Sequence, residues 1–163
     1  LFLFAISLYA CRNPQPQLPA NKNTETDSTQ IEMTTVNKKL IYYEDSILAV
    51  YVSRLPQIFN KNNTGFWYRI VDSTNNKSPK ANEECSINYS VYTLDNEEIY
   101  SQNAIVTIGK KQIITGIEEM LKIMRRGETA EFILPWYLAY GQRGDRQNIE
   151  PYQSLKIKLM IND

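Results

Sequence analysis

Two runs in which apolar residues recur at every second position constrain this chain more than any other feature. In residues 86–93, Ile87, Tyr89 and Val91 alternate with Ser86, Asn88 and Ser90, and in residues 155–161, Leu155, Ile157, Leu159 and Ile161 alternate with Lys156, Lys158 and Met160. Successive side chains of a strand point to opposite faces, so each run has one face to bury and one to wet. Further strand-like runs, rich in aromatic and β-branched residues, fall at 66–71, 104–108 and 129–134. No regular strand–helix–strand alternation separates them, which favours a mostly antiparallel sheet. One short helix interrupts the strands. Thr115-Gly116-Ile117-Glu118 has the spacing of a capping box, Gly127 after Arg125 and Arg126 supplies an end, and Ile117, Leu121 and Met124 share one side. The expected class is α+β: a curved, mostly antiparallel sheet wrapped around a short α-helix, over residues 60–163.

The first third of the chain reads differently. Leu40, Tyr43, Ile47, Tyr51 and Leu55 recur at helical spacing, so an N-terminal amphipathic helix is expected over 37–55, with Asn37 as its N-cap and Pro56 ending it. Its apolar face is expected to dock on the chain's own domain. Residues 12–30 are built mostly from Asn, Gln, Pro, Thr, Ser and Asp with almost no large apolar side chain, and 11–36 is read as a disordered tether. Residues 1–10 are apolar, the length of a signal-peptide core and about half of what a membrane span needs. With no starting Met or basic leader before it, the gene product is expected to begin a few residues earlier. Leu8-Tyr9-Ala10-Cys11 resembles a bacterial lipobox, with Cys11 as the lipidated residue and Tyr9 bulky for its place. A lipid on Cys11 would anchor the chain to a membrane, with the periplasmic face of the outer membrane the expected location.

Composition narrows the chemistry. Lys plus Arg and Asp plus Glu both number 18 and no basic run occurs, so nucleic acid is not an expected partner. Histidine is absent, which removes Ser-His-Asp and Cys-His triads and H-E-x-x-H zinc sites. The two cysteines, Cys11 and Cys85, form no C-x-x-C pair, so neither a metal site nor a redox dithiol is expected, and no cofactor is called for. Arg143-Gly144-Asp145 spells an adhesion tripeptide but lies inside a loop between Tyr140 and Ile149, and no adhesive role is assigned to it.

Several segments, in order, resemble FKBP-type peptidyl-prolyl cis-trans isomerases. Residues 108–116, Ile-Gly-Lys-Lys-Gln-Ile-Ile-Thr-Gly, are similar to the L-G-x-x-x-V-I-x-G that precedes the helix of that family. Gly127-Glu128 is similar to the G-E/Q after it, residues 134–141 to I-P-x-x-L-A-Y-G, and Ile149-Glu150-Pro151 to I-P-P before the last strand. Upstream, Ile87-Asn88-Tyr89 resembles V-x-Y, and residues 95–101 stand in the place of D-G-x-x-F-D-S. The tethered form also resembles FKBP-like lipoproteins associated with gliding motility in Bacteroidetes.

The resemblance implies a proline-binding hollow. It would be lined by Tyr89, Ile99, Tyr100, Val106, Ile113, Ile114, Ile117, Tyr140, Ile149 and Ile157, with Tyr89, Tyr140 and the Ile114 backbone N–H at the chemistry. The isoleucines read equally well as plain core. The implied activity is isomerisation of X-Pro bonds in proline-containing polypeptides, assisting the folding of envelope proteins. Ile99 replaces an aromatic residue, Tyr100 an aspartate and Ile117 a tryptophan, which implies a less aromatic pocket and weak macrolide binding. The alternative is a weakly active or inactive FKBP-like binding module of the envelope.

Overall fold

A computed structural model of the chain describes residues 24–162, with side-chain surroundings from residue 33 onward. The expected signal segment, Cys11 and the first part of the tether lie outside the described residues. A helix, α1 (Thr24–Ser53), is followed by strands β1 (Asn60–Lys61), β2 (Trp67–Asp72), β3 (Glu84–Tyr92) and β4 (Glu98–Thr107). Helix α2 (Thr115–Leu121), β5 (Thr129–Leu134), two 3-10 turns (Trp136–Leu138 and Gly141–Arg143) and β6 (Leu155–Ile161) complete the chain. The six strands form one sheet in the order β1-β2-β5-β6-β3-β4, and every neighbouring pair is antiparallel.

The alternating runs became β3 and β6, paired from Ile87 with Ile161 to Tyr92 with Lys156. Their apolar residues are buried and Lys158 and Met160 are wet, as period-two patterning requires. Phe66, Ile87, Val91, Phe132, Leu155, Ile157 and Leu159 join Ile117, Met120, Leu121 and Met124 from α2 and its following turn in one core. Gly116 fixes how close α2 can lie, because a Cβ there would meet Leu134 Cδ1 at 2.0 Å.

Strand β4 is longer than the expected 104–108 and begins at Glu98. It is the last strand in the sheet order, so much of it is exposed and Gln102 and Asn103 interrupt any apolar alternation. The capping box does not form. The Ile114 carbonyl takes the N–H groups of Ile117 and Glu118 at 3.1 and 3.2 Å, which puts Thr115 inside the first turn. Glu118 instead turns its carboxylate to the Gly109 N–H and is buried. Helix α2 closes at Leu121, and Gly127, with φ 77°, belongs to the turn that leads into β5.

Helix α1 begins before its expected start at Asn37, which lies inside it. Residues 24–36, expected within the tether, hold no Pro or Gly, and a polar sequence without breakers extends a helix already nucleated downstream. Its C-terminus is as expected: Arg54 and Leu55 N–H close on Tyr51 and Val52 carbonyls, and Pro56 follows. The docked face is rotated from the expected one. Leu48 and Val52 are buried with Phe59 and Ile133, flanked by Tyr51, Leu55, Trp67 and Leu94, while Leu40, Tyr43 and Ile47 are exposed. Polar anchoring settles the rotation: Asp45 accepts from Tyr137 Oη at 2.7 Å, Glu44 from Ser154 Oγ, and Tyr51 Oη donates to the Leu94 carbonyl at 2.6 Å.

Candidate active site

The turn between β4 and α2 makes one wall of a hollow. Gly109 with φ 89° and Lys111 with φ 53° reverse the chain. Gln112 Oε1 then accepts the Thr107 N–H at 2.6 Å and pins the turn to the end of β4. This leaves Ile113 and Ile114 half-buried against the core. The Ile114 carbonyl is spent on α2, and among the described residues no protein group accepts from the Ile114 N–H. An amide donor in that state is ready for a carbonyl from outside.

The opposite wall comes from the segment after β5. Trp136 N–H donates to Ser154 Oγ at 3.0 Å, Pro135 and Trp136 carbonyls close the 3-10 turn, and Tyr140 follows. Beyond it, the Asp145 carboxylate accepts N–H groups of Gln147, Asn148 and Ile149 at 2.8, 2.9 and 2.8 Å, which ties the loop shut. Burial alone would raise this carboxyl, but those backbone donors outweigh it and hold it below the ordinary aspartate value. Gly144 is required here, since a Cβ would lie 2.0 Å from the Ile149 carbonyl oxygen. The aspartate of the Arg-Gly-Asp tripeptide is thus occupied within its own loop.

Tyr89, Lys111, Gln112, Ile113, Ile114 and Tyr140 enclose a hollow of about 420 Å³. Three tyrosines meet across it. The rings of Tyr89 and Tyr100 stand edge to face with centroids 6.2 Å apart, the hydroxyls of Tyr100 and Tyr140 hydrogen-bond, and Gln102 Nε2 donates to the Tyr89 hydroxyl. Burial raises the Tyr89 and Tyr100 phenols, Tyr100 strongly, with neighbouring tyrosine hydroxyls adding to the shift. Tyr89 and Tyr100 are therefore neutral donors and acceptors at physiological pH.

The other expected pocket residues sit lower. Ile99 is half-buried at the core edge, and Val106, Ile117, Ile149 and Ile157 are at most 3% exposed. They are the packed floor beneath the hollow rather than its surface. Lys111, Gln112 and Gln102 were not singled out from the sequence. Gln102 was legible in principle, because it pairs with Tyr89 across the β3–β4 hairpin, but only once β4 is known to extend so far. A larger groove of about 860 Å³, lined by Lys77, Lys80, Glu83 and Arg126 among others, holds none of the expected site residues.

An open, curved antiparallel sheet packed around a short helix, with a tyrosine-rimmed hollow beside it, defines a class of protein. Residues 75–161 match the family described as FKBP-type peptidyl-prolyl cis-trans isomerase, and the chain belongs to that family. It is 29% identical over 100 residues to the peptidyl-prolyl cis-trans isomerase Mip of Coxiella burnetii, covering 60% of this chain and 44% of that protein. To FkpA, an FKBP-type isomerase of Escherichia coli, it is 27% identical over 84 residues, covering 50% of this chain and 31% of that protein. With the outer membrane protein MIP of Legionella longbeachae the identity is 28% over 101 residues, 60% of this chain and 43% of that one. The chain thus spans less than half the length of these relatives. A solved peptidyl-prolyl isomerase from Pseudomonas syringae superposes with a TM-score of 0.64 at 18% identity, over 77% of this chain and 93% of that one, which shows the shared fold.

Proposed function

We propose that this protein catalyses cis-trans isomerisation of X-Pro peptide bonds in polypeptide substrates at the hollow between Tyr89, Ile114 and Tyr140. The observation that carries the reading is the convergence, among the described residues, of an unengaged Ile114 N–H and a hydrogen-bonded tyrosine cluster on one hollow, inside a matched family domain. The reaction breaks no bond. Its barrier of about 18–20 kcal/mol is the amide's partial double-bond character, and each ~1.4 kcal/mol removed speeds it tenfold. A proline ring seated over Ile113 and the buried isoleucines leaves water, which favours the twisted, less charge-separated amide. The Ile114 N–H holds one substrate carbonyl. The Tyr140 hydroxyl donates to another when Tyr100 donates to Tyr140, an arrangement that keeps the Tyr140 proton available.

The experiment is refolding of a protein whose slow phase is an X-Pro isomerisation, with this chain added. Acceleration that saturates with substrate supports the enzyme. A second reading, a weakly catalytic binding module, is favoured by the same hydroxyl pair with its proton order reversed, because Tyr140 would then spend its proton on Tyr100. Binding of proline peptides with no acceleration at micromolar protein would select it.

Lipid anchoring through Cys11 and service to envelope proteins are part of the same proposal. They rest on the lipobox-like residues 8–11 and on a relative named as an outer membrane protein. A role in gliding motility rests on the resemblance of the tethered form alone. Cys11→Ser is expected to move the protein from the membrane to the soluble fraction, since residues 1–10 are too short to span. Retention in the membrane after a high-salt wash contradicts the anchor.

A further inference from the structure

Strand β4 leaves one side of its backbone unpaired. It is the last strand in the sheet order, and at 10 residues it is long for an edge. Two hydrogen bonds fix the phase of its ladder. The Ile108 N–H donates to the Glu83 carbonyl at 3.0 Å, and Ser86, which stands opposite Ile105, gives its carbonyl to the Asn162 N–H at 2.9 Å, on the β6 side. Even-numbered residues of β4 therefore turn their N–H and C=O groups toward β3, and odd-numbered ones turn theirs outward. Gln112 Oε1 takes the outward N–H of Thr107 at 2.6 Å. Among the described residues nothing pairs with the outward N–H groups of Ser101, Asn103 and Ile105. The features that usually close an edge are missing from this stretch as well: residues 99–107 hold no Lys, Arg or Pro, the register shift against β3 falls at Val91–Tyr92, and Ile105 is 72% exposed.

We propose that residues 101–105 of β4 take up an extended polypeptide as an added strand, and that the occupant is the stretch of substrate chain flanking the X-Pro bond; this rests on the reading of the hollow as the X-Pro site. Continuity with the hollow selects that occupant. Tyr100 and Gln102 belong to the same strand, and their side chains reach the hollow, where the Tyr100 hydroxyl meets that of Tyr140 and Gln102 Nε2 donates to the Tyr89 hydroxyl. A chain whose proline lies in the hollow thus has the unpaired edge beside its next residues. Main-chain hydrogen bonds do not depend on side-chain identity, so an edge of this kind suits substrates that share a proline and differ in what flanks it. Ile105 adds a preference for an apolar residue at the position that would lie against it, and the lack of charge over residues 99–107 favours neutral flanks.

The size of the edge agrees with a segment held briefly. Residues 101–105 span about 17 Å at 3.4 Å per residue, the length of one short strand. Stable pairing of two folded proteins buries on the order of 1,200 Å² or more, which so short a stretch of edge does not supply. A polypeptide that must leave after its X-Pro bond has turned needs a weak hold of this kind.

The test uses the full chain, an Ala-Pro tetrapeptide, and two longer peptides that extend the same core on one side or the other with alternating Val and Thr. One longer peptide is expected to bind at least tenfold more tightly than the tetrapeptide. At saturation it is expected to slow amide exchange at Ser101, Asn103 and Ile105 at least tenfold, while Gln102 and Ala104, whose N–H groups already face β3, change little. Asn103→Pro removes one outward N–H and leaves the β3 ladder untouched, and Ile105→Lys places a charge on the edge. Both are expected to erase the tenfold gain while turnover of the tetrapeptide stays within twofold. Equal affinity for short and long peptides, in a parent that turns over the tetrapeptide, overturns the proposal and leaves the reading of the hollow standing. Protection without the odd-residue alternation also overturns it, as does a gain that survives in both variants. Protection that rises with protein concentration in the absence of peptide overturns it too, by giving the edge to a second copy. A parent that turns over no peptide contradicts the isomerase reading, and the edge is then decided by the exchange pattern: alternating protection upholds it, and its absence overturns it.

Discussion

The two faces of the sheet differ in what holds them and in what they do. On the face toward α2, Phe132, Ile87, Leu155, Ile157 and the helix residues Ile117, Met120 and Leu121 are fully buried in one continuous core. On the other, next along the same strands, Ile133 meets Leu48, Val52 and Phe59 in a much smaller cluster, and polar contacts from Glu44, Asp45 and Tyr51 complete the joint. The large core defines the domain and floors the hollow. The small one attaches a helix, yet it reaches the site as well, because Tyr137 and Ser154 belong to the structure that carries Tyr140. The two clusters differ in size rather than in depth of burial, with Leu48 and Ile133 as closed off as Phe132.

The largest expected effect tests that difference directly. Phe132→Ala removes a fully buried ring and should cost about 3–5 kcal/mol, whereas Leu48→Ala in the small cluster should cost about 2–3 kcal/mol and leave the domain folded. Denaturant titrations followed by tryptophan fluorescence measure both. Equal losses from the two variants would mean that the faces form one cooperative unit and that the contrast is not real.

A smaller effect asks whether α1 supports the site. Asp45→Ala removes the acceptor of the Tyr137 hydroxyl, which leaves that hydroxyl half-buried without its partner, and should cost about 1 kcal/mol of stability. Burial and this carboxylate hold the Tyr137 phenol well above its ordinary value, so Asp45→Asn, which keeps an acceptor, should restore most of the loss. Isomerase kcat/KM should fall about two- to threefold in Asp45→Ala and recover in Asp45→Asn. Unchanged turnover in Asp45→Ala would confine α1 to a structural role.

The smallest expected effect is that of pH. Asp145 is depressed, so the stability it gives is present above the ordinary aspartate range and is lost as pH falls through its lower folded value, below about pH 4. Tyr89 and Tyr100 are raised by burial, so their contribution is complete below about pH 10 and is lost only as pH rises through their folded values. With no histidine in the chain, kcat/KM should be flat from about pH 5 to about pH 9. A bell-shaped profile within that window would require a titrating group that the hollow does not contain.

How much of this was legible in the sequence follows the same division. The large core could be read because period-two alternation in β3 and β6 and the helical spacing of Ile117, Leu121 and Met124 report burial on one face only. The first half of edge strand β4 could not, since exposure removes the alternation that marks a strand, and only 104–108 was expected there. The docked face of α1 was misjudged because that helix has two apolar stripes, and spacing alone favours the regular one, Leu40, Tyr43 and Ile47, which is the face left exposed. Tyr89, Tyr140 and Ile114 were singled out through their motifs, and all three line one hollow. Ile113 and Ile114 line the hollow, whereas Ile117, Ile149 and Ile157 are packed in the core. A strand pattern tells which face is buried but not how deep, and Ile117 and Ile157 are closed off from the surface.

The central claim, that the hollow turns over X-Pro bonds with Tyr140 as a donor, is tested most directly by exchange NMR on a short proline peptide. Cis and trans signals are followed with catalytic amounts of the parent and of Tyr140→Phe. The account predicts exchange for the parent far above the uncatalysed rate of tens of seconds, and a several-fold lower kcat/KM for Tyr140→Phe at unchanged stability, as loss of one hydrogen bond worth about 1 kcal/mol requires. Equal exchange by parent and variant would contradict the role of Tyr140. No exchange above background from a folded parent would contradict the isomerase itself.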